Sequence, residues 1–147
     1  MNKLIPYIRC TPASAAIHFY TNVFAARELY RLTDPEGRIG HAELQIDGQL
    51  LYLSDAYPEY GCLAPTKDAD TFVSLHLVVD NVDALVDTAR QHGAKIGSEP
   101  KDEFYGYRGA IVIDPFGHRW MLNQLLVEMS IDEIQRKFNE LYGKPTT

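Results

Sequence analysis

Long apolar runs, a cysteine framework and an excess of positive charge are all missing from this 147-residue chain. No stretch approaches the ~20 apolar residues that a membrane-crossing helix needs, so no membrane partner is expected. The two cysteines, Cys10 and Cys62, are too few for a disulfide scaffold and lack zinc-type spacing, and both read as reduced thiols. Lys and Arg number 14 against 20 Asp and Glu, a formal charge of -6, which excludes the clustered basic face of a nucleic-acid binder. Met1 to Pro6 carries one positive charge and no apolar core, so it does not read as a secretory signal. No Ser-His-Asp set and no Gly-rich phosphate loop is present. What is there is 46% hydrophobic and 11% aromatic, a folded composition. The expectation is a small soluble cytoplasmic domain.

Periodicity then gives an order of elements. Leu4 to Cys10 reads as a strand, and Thr11-Pro12 as a helix cap and first-position pair. Ala16, Phe19, Tyr20 and Val23 share one face of a helix over 13–24. Strands follow over 28–33, 41–46 and 50–54, separated by Asp34-Pro35-Glu36-Gly37 and Asp47-Gly48 turns. After a loop over 58–70 the order begins again. Thr71 to Val79 is a strand, Asp80 caps a helix carrying Val82, Leu85, Val86 and Ala89, and Gly93 stops it. Strands over 94–97, 107–113 and 119–126 complete a second βαβββ unit, offset from the first by about 69 residues. The turn at Asp114-Pro115-Phe116-Gly117 reads as two residues longer than its counterpart. Ser130 and Glu133 form a capping box for a last helix with an Ile131, Ile134, Phe138, Leu141 stripe. That stripe covers an open edge of its own domain, or else serves a dimer interface or a lid.

Paired βαβββ units with Asp114-Pro115-Phe116-Gly117-His118-Arg119-Trp120, Ala16-Ile17-His18-Phe19-Tyr20, Gly40-His41-Ala42-Glu43-Leu44 and Val79-Asp80-Asn81-Val82-Asp83-Ala84-Leu85 resemble the vicinal oxygen chelate superfamily. That group includes glyoxalase I, bleomycin-resistance proteins and extradiol dioxygenases, and the match is most similar to its PhnB-like branch. The resemblance implies an α+β fold in which two βαβββ modules form an open eight-stranded cup. A single domain over 1–127 would hold module one (3–56) and module two (70–126), with a C-terminal helix and tail over 128–147, and the chain would be a homodimer. The superfamily's metal-ligand positions fall on Ile5, Tyr52, Ser74 and Met121. Isoleucine cannot coordinate, methionine is soft, and neutral serine and tyrosine are poor ligands for a hard divalent ion. A glyoxalase I-type metal site, and hence a cofactor, is not expected.

Strand alternation turns Tyr7, Arg9, Phe72 and His76 inward with Ile5 and Ser74, and Leu50, Ser54, Arg119 and Asn123 inward with Tyr52 and Met121. It also leaves His41, Glu43 and Gln45 for the cup and Ala42, Leu44 and Ile46 for the helices. By the repeat, Arg108 stands opposite His41. The candidate ligand-binding set is therefore Tyr7, Arg9, His41, Glu43, Tyr52, Ser74, His76, Arg108 and Met121. Arginines suit an anion, and tyrosines, Tyr105 and Tyr107 included, suit a planar ring. A salt bridge at the turn is the competing reading for Arg119, and a turn-stabilising role the one for His118. Two functions follow: a metal-independent protein holding a small aromatic or anionic molecule, or a metal-dependent lyase, isomerase or dioxygenase using His41, Glu43 and His76 as non-standard ligands.

Overall fold

The computed structural model describes residues 1–143; residues 144–147 of the expected tail lie outside the described residues. The elements are β1 (Tyr7–Arg9), α1 (Ala13–Phe24), β2 (Arg27–Thr33), β3 (Ile39–Ile46), β4 (Gln49–Ser54), β5 (Ser74–Val78), α2 (Val82–Gln91), β6 (Lys95–Asp102), β7 (Tyr107–Ile113), β8 (Arg119–Leu125) and α3 (Ile131–Tyr142). They form two four-stranded sheets, ordered β1-β4-β3-β2 and β5-β8-β7-β6. In each, the first strand pairs parallel with the last and the other pairings are antiparallel. This is the expected α+β arrangement of two βαβββ units with open sheets.

The repeat holds in hydrogen-bonding detail. Asp55 Oδ1 accepts from the Ala13 amide at 2.9 Å, and at the equivalent place Gln124 Oε1 accepts from the Val82 amide at 3.0 Å. Each of these two helices thus has a first-turn amide that lacks an intrahelical partner satisfied from the end of its module's last strand. Asp55 also takes the Ile39 amide at 2.6 Å. The caps themselves differ from those expected locally. Pro12 occupies the α1 cap without a side-chain bond, and Asn81 rather than Asp80 caps α2. Ser130 caps α3 as expected, accepting from Glu133 N.

Both edge hairpins carry a bulge at matching positions, where Leu29 and Gly97 are left unpaired. A glycine at a bulge looks like a strand end in sequence, which is why a strand over 94–97 is too short and β6 runs on to Asp102. Alternation otherwise decides the faces. On β3, Ala42, Leu44 and Ile46 are buried against the helices, while His41, Glu43 and Gln45 on the opposite face stay half-buried.

One core serves both units. Phe24 of α1 lies on Trp120 of β8, with ring centroids 4.4 Å apart, and Tyr20 donates to Asp114 at 2.5 Å. His118 joins the units from the other side, its Nε2 lying 2.7 Å from the Arg9 carbonyl, so it stabilises more than its own turn. α3 is amphipathic but buries none of its residues. Phe138 and Tyr142 rest on Phe104, with centroids 5.9 and 6.3 Å away.

Candidate functional site

The cup face of the first sheet gathers four rings around one carboxylate. β1 and β4 run in register with Tyr7 beside Tyr52, and β3 and β4 place Glu43 beside Tyr52. The bulge at Leu29 brings Tyr30 opposite Glu43. Without that extra residue, alternation would turn Tyr30 the other way, so sequence reasoning missed it. His41 sits among Tyr7, Tyr30 and Tyr52, with centroids 5.5, 5.7 and 5.2 Å distant.

Hydrogen bonds order this group. Tyr7 Oη lies 2.9 Å from His41 Nδ1, and His41 Nε2 lies 3.3 Å from Glu43 Oε1. Tyr30 donates to the same Glu43 oxygen at 3.0 Å. A neutral imidazole satisfies both contacts in one tautomer, donating from Nε2 to Glu43 and accepting at Nδ1 from Tyr7. Desolvation works to raise the Glu43 pKa, but hydrogen bonds from Tyr30 and His41 outweigh it and hold the carboxyl below its ordinary value. Desolvation and the Glu43 charge push the Tyr52 phenol up.

Arg9 shares this face, its guanidinium carbon 5.4 Å from the Tyr7 ring centroid. Its Nε is buried and has no hydrogen-bond partner among the described residues. A cleft of about 560 Å³ beside it is lined by Tyr7, Arg9, Leu63, Phe72 and His118. Phe72 precedes β5 and stands fully exposed at this cleft rather than within a sheet.

Arg108 is a correction. It donates to both carboxylate oxygens of Asp83 on α2 and to Asp102, each at 2.8–2.9 Å, so it lies on the helix side and not in the cup. These two aspartates hold its pKa above the ordinary value. The reason is register. Gln45 pairs with Leu50 in the first unit and Ile113 with Arg119 in the second, so the second turn is longer by one residue, not two. Gly109 therefore stands where His41 does, and a slip of one residue exchanges the faces. Arg119, beside Ser74 in register, makes no ion pair among the described residues.

The second sheet carries its own smaller cluster. Asn123 Nδ2 lies 3.2 Å from His76 Nε2, and Tyr105 donates to Asn123 Oδ1 at 3.2 Å. Met121 pairs with His76. His76 is thus engaged within its own module and is not brought to His41 and Glu43.

A profile of the glyoxalase/bleomycin resistance protein/dioxygenase superfamily matches residues 6–122. The chain belongs to this superfamily. An uncharacterized protein of Mycobacterium bovis is 38% identical over 135 residues, covering 90% of this chain and 89% of that one. An uncharacterized Mycobacterium tuberculosis protein is likewise 38% identical, over 90% and 79%. Among solved structures, TioX from Micromonospora shares the fold at TM-score 0.63 and 23% identity, over 86% of this chain and all of that one. The fosfomycin resistance protein FosX from Listeria monocytogenes does so at TM-score 0.64 and 14% identity, over 91% and 96%.

A divalent ion of the kind some superfamily members use does not fit the residues at its usual positions. Ile5 offers no donor, and Met121 offers only a thioether. The other set, His41, Glu43 and His76, fails on geometry. Both His41 nitrogens are hydrogen-bonded and His76 faces Asn123. Among the described residues no group of three or more His, Cys, Asp or Glu side chains is arranged to hold a metal ion.

Proposed function

We propose that this superfamily member binds a small aromatic or anionic molecule in its cup, without a glyoxalase I-type metal, as a cytoplasmic homodimer of the PhnB-like branch. Tyr7, Arg9, His41, Glu43 and Tyr52 line the module-one side, and Ser74, His76 and Met121 the module-two side. The observation that carries the reading is the buried, unpartnered Arg9 Nε beside the Tyr7 ring, which itself stands edge-on to Tyr52. A buried donor left without an acceptor costs about 1–3 kcal/mol. A carboxylate or phosphate on the ligand recovers that cost through a charge-assisted bond. The tyrosines supply the apolar, planar surface that small-molecule sites use to orient a ring.

A thermal-shift and calorimetric screen of aromatic carboxylates, phosphates and phosphonates tests it, with protein dialysed against a chelator. Binders are expected in the absence of metal, because a ligand selective for the folded state raises its melting temperature. Arg9→Ala is expected to weaken them about tenfold, the equivalent of ~1.4 kcal/mol. Anion binding unchanged in Arg9→Ala would overturn the reading. So would tight stoichiometric uptake of a divalent metal that vanishes in His41→Ala.

A further inference from the structure

Tyr7, His41 and Glu43 lie in a single hydrogen-bonded line across the cup face. The outer end is Tyr7, a residue 41% exposed that lines a cleft together with Arg9. The inner end is Glu43, whose side chain is 17% exposed and is braced a second time by Tyr30. Between them His41 uses one nitrogen for each neighbour. An imidazole fixed by a carboxylate on one nitrogen and facing a hydroxyl with the other is the arrangement by which a side-chain hydroxyl exchanges protons with a substrate. Arg9, two residues along the same strand and 5.4 Å from the Tyr7 ring, sets an anion-holding group within one small molecule's length of that phenol.

We propose that Tyr7–His41–Glu43 is an acid–base relay acting on a 2-oxo carboxylate, moving a proton between C3, the carbon beside the ketone, and the ketone oxygen. This rests on the reading of Arg9 as the anion-binding group of the cup. The substrate carboxylate pairs with Arg9. The C3–H bond breaks, its proton passes to Tyr7 Oη, and the proton Tyr7 held passes to His41 Nδ1. The electron pair from that bond forms the carbon–carbon double bond, and the carbonyl electrons move onto oxygen. The imidazolium then returns its proton through Tyr7 to that oxygen, giving the enol. Nothing is oxidised or reduced. Tyr7 is the catalytic residue, His41 the base behind it, and Glu43 a positioning residue that holds the Nε2 hydrogen and balances the imidazolium charge.

The test is deuterium exchange at C3 of pyruvate, 2-oxobutyrate and phenylpyruvate, followed by proton NMR in D2O with the full-length chain. Exchange is expected at least about tenfold above the protein-free rate for one or more of them. Tyr7→Phe and His41→Gln are expected to return it to background even at 2-oxo acid concentrations that saturate each variant by thermal shift. Glu43→Gln should lower the saturating rate about tenfold and leave half-saturation unchanged, a split that loss of local structure would not produce. If a 2-oxo acid binds through Arg9 but exchanges at the background rate, the relay is overturned and the binding reading survives. Exchange undiminished in Tyr7→Phe overturns it as well. If none of the three acids binds or exchanges, the relay falls, and the binding reading is then judged on its own aromatic and phosphate panel.

Discussion

Asp114 shows at the residue scale how much one side chain can organise. It is 1% exposed, and its two oxygens accept four hydrogen bonds. Oδ1 takes the Phe116 and His118 amides at 3.0 and 2.9 Å, which closes the turn. Oδ2 takes Tyr20 Oη and Trp120 Nε1 at 2.5 and 2.9 Å, which reaches across to α1 of the other unit. Burial, followed by neighbouring Cys10 and Asp114, pushes the Tyr20 phenol pKa well up, so it stays a donor. All four partners are donors, so an amide in place of the carboxylate turns an NH2 toward two of them. Asp114→Asn is expected to cost about 3 kcal/mol of stability and Asp114→Ala no less, since each buried group left unpaired costs ~1–3 kcal/mol. Urea denaturation followed by circular dichroism measures this; a loss within the ±0.5 kcal/mol of ordinary surface changes would refute it. In sequence, this aspartate reads only as part of a turn, because its long-range donors are a tertiary fact.

The repeat shows at the element scale what local pattern can and cannot carry. The βαβββ order, the helix-facing side of β3 and the α3 cap follow from alternation, turn residues and capping chemistry, all of which are local. Strand register across a turn is not local. Reading the Asp114 turn one residue too long sends Arg108 to the cup, whereas the structure commits it to Asp83 and Asp102. The Leu29 bulge has the same consequence for Tyr30, which joins Glu43 although alternation from Glu28 would point it away. The start of α1 is likewise set at long range, since Asp55 caps it from 42 residues away while also holding β3. Asp55→Ala removes both contacts and is expected to destabilise by about 1–2 kcal/mol, the usual cost of losing a cap. Asp55→Asn keeps an acceptor and should lose less. Equal losses in chemical denaturation would show that the carboxylate's two bonds do not act as a cap.

Closure of the cup is a question for the whole molecule. Units of about 60 residues bury little of their own sheet, and this chain answers by sharing one core through Phe24, Trp120 and Tyr20. The helix faces are thereby covered and the cup faces are not. The strands β1 and β5 end their sheets, and apolar side chains stand bare close to them. Phe72 is 108% exposed, Leu4 98% and Leu63 70%, and clefts of about 470 and 560 Å³ run past these residues. Bare aromatic and aliphatic groups flanking a ligand cleft are what an isologous interface buries, and a stable one covers ~1,200–2,000 Å² in total. A second copy seated here would exclude water from the cleft beside Arg9 and strengthen any charge pairing within it. The proposed homodimer therefore predicts twice the chain mass in sedimentation equilibrium at micromolar concentration. Its melting temperature should also rise with protein concentration. Phe72→Asp places a charge where the interface would be dry and is expected to yield a folded monomer with weaker anion binding than the parent. A parent chain that sediments as a monomer, or a Phe72→Asp variant that remains dimeric, would place the apolar residues outside any interface of this kind.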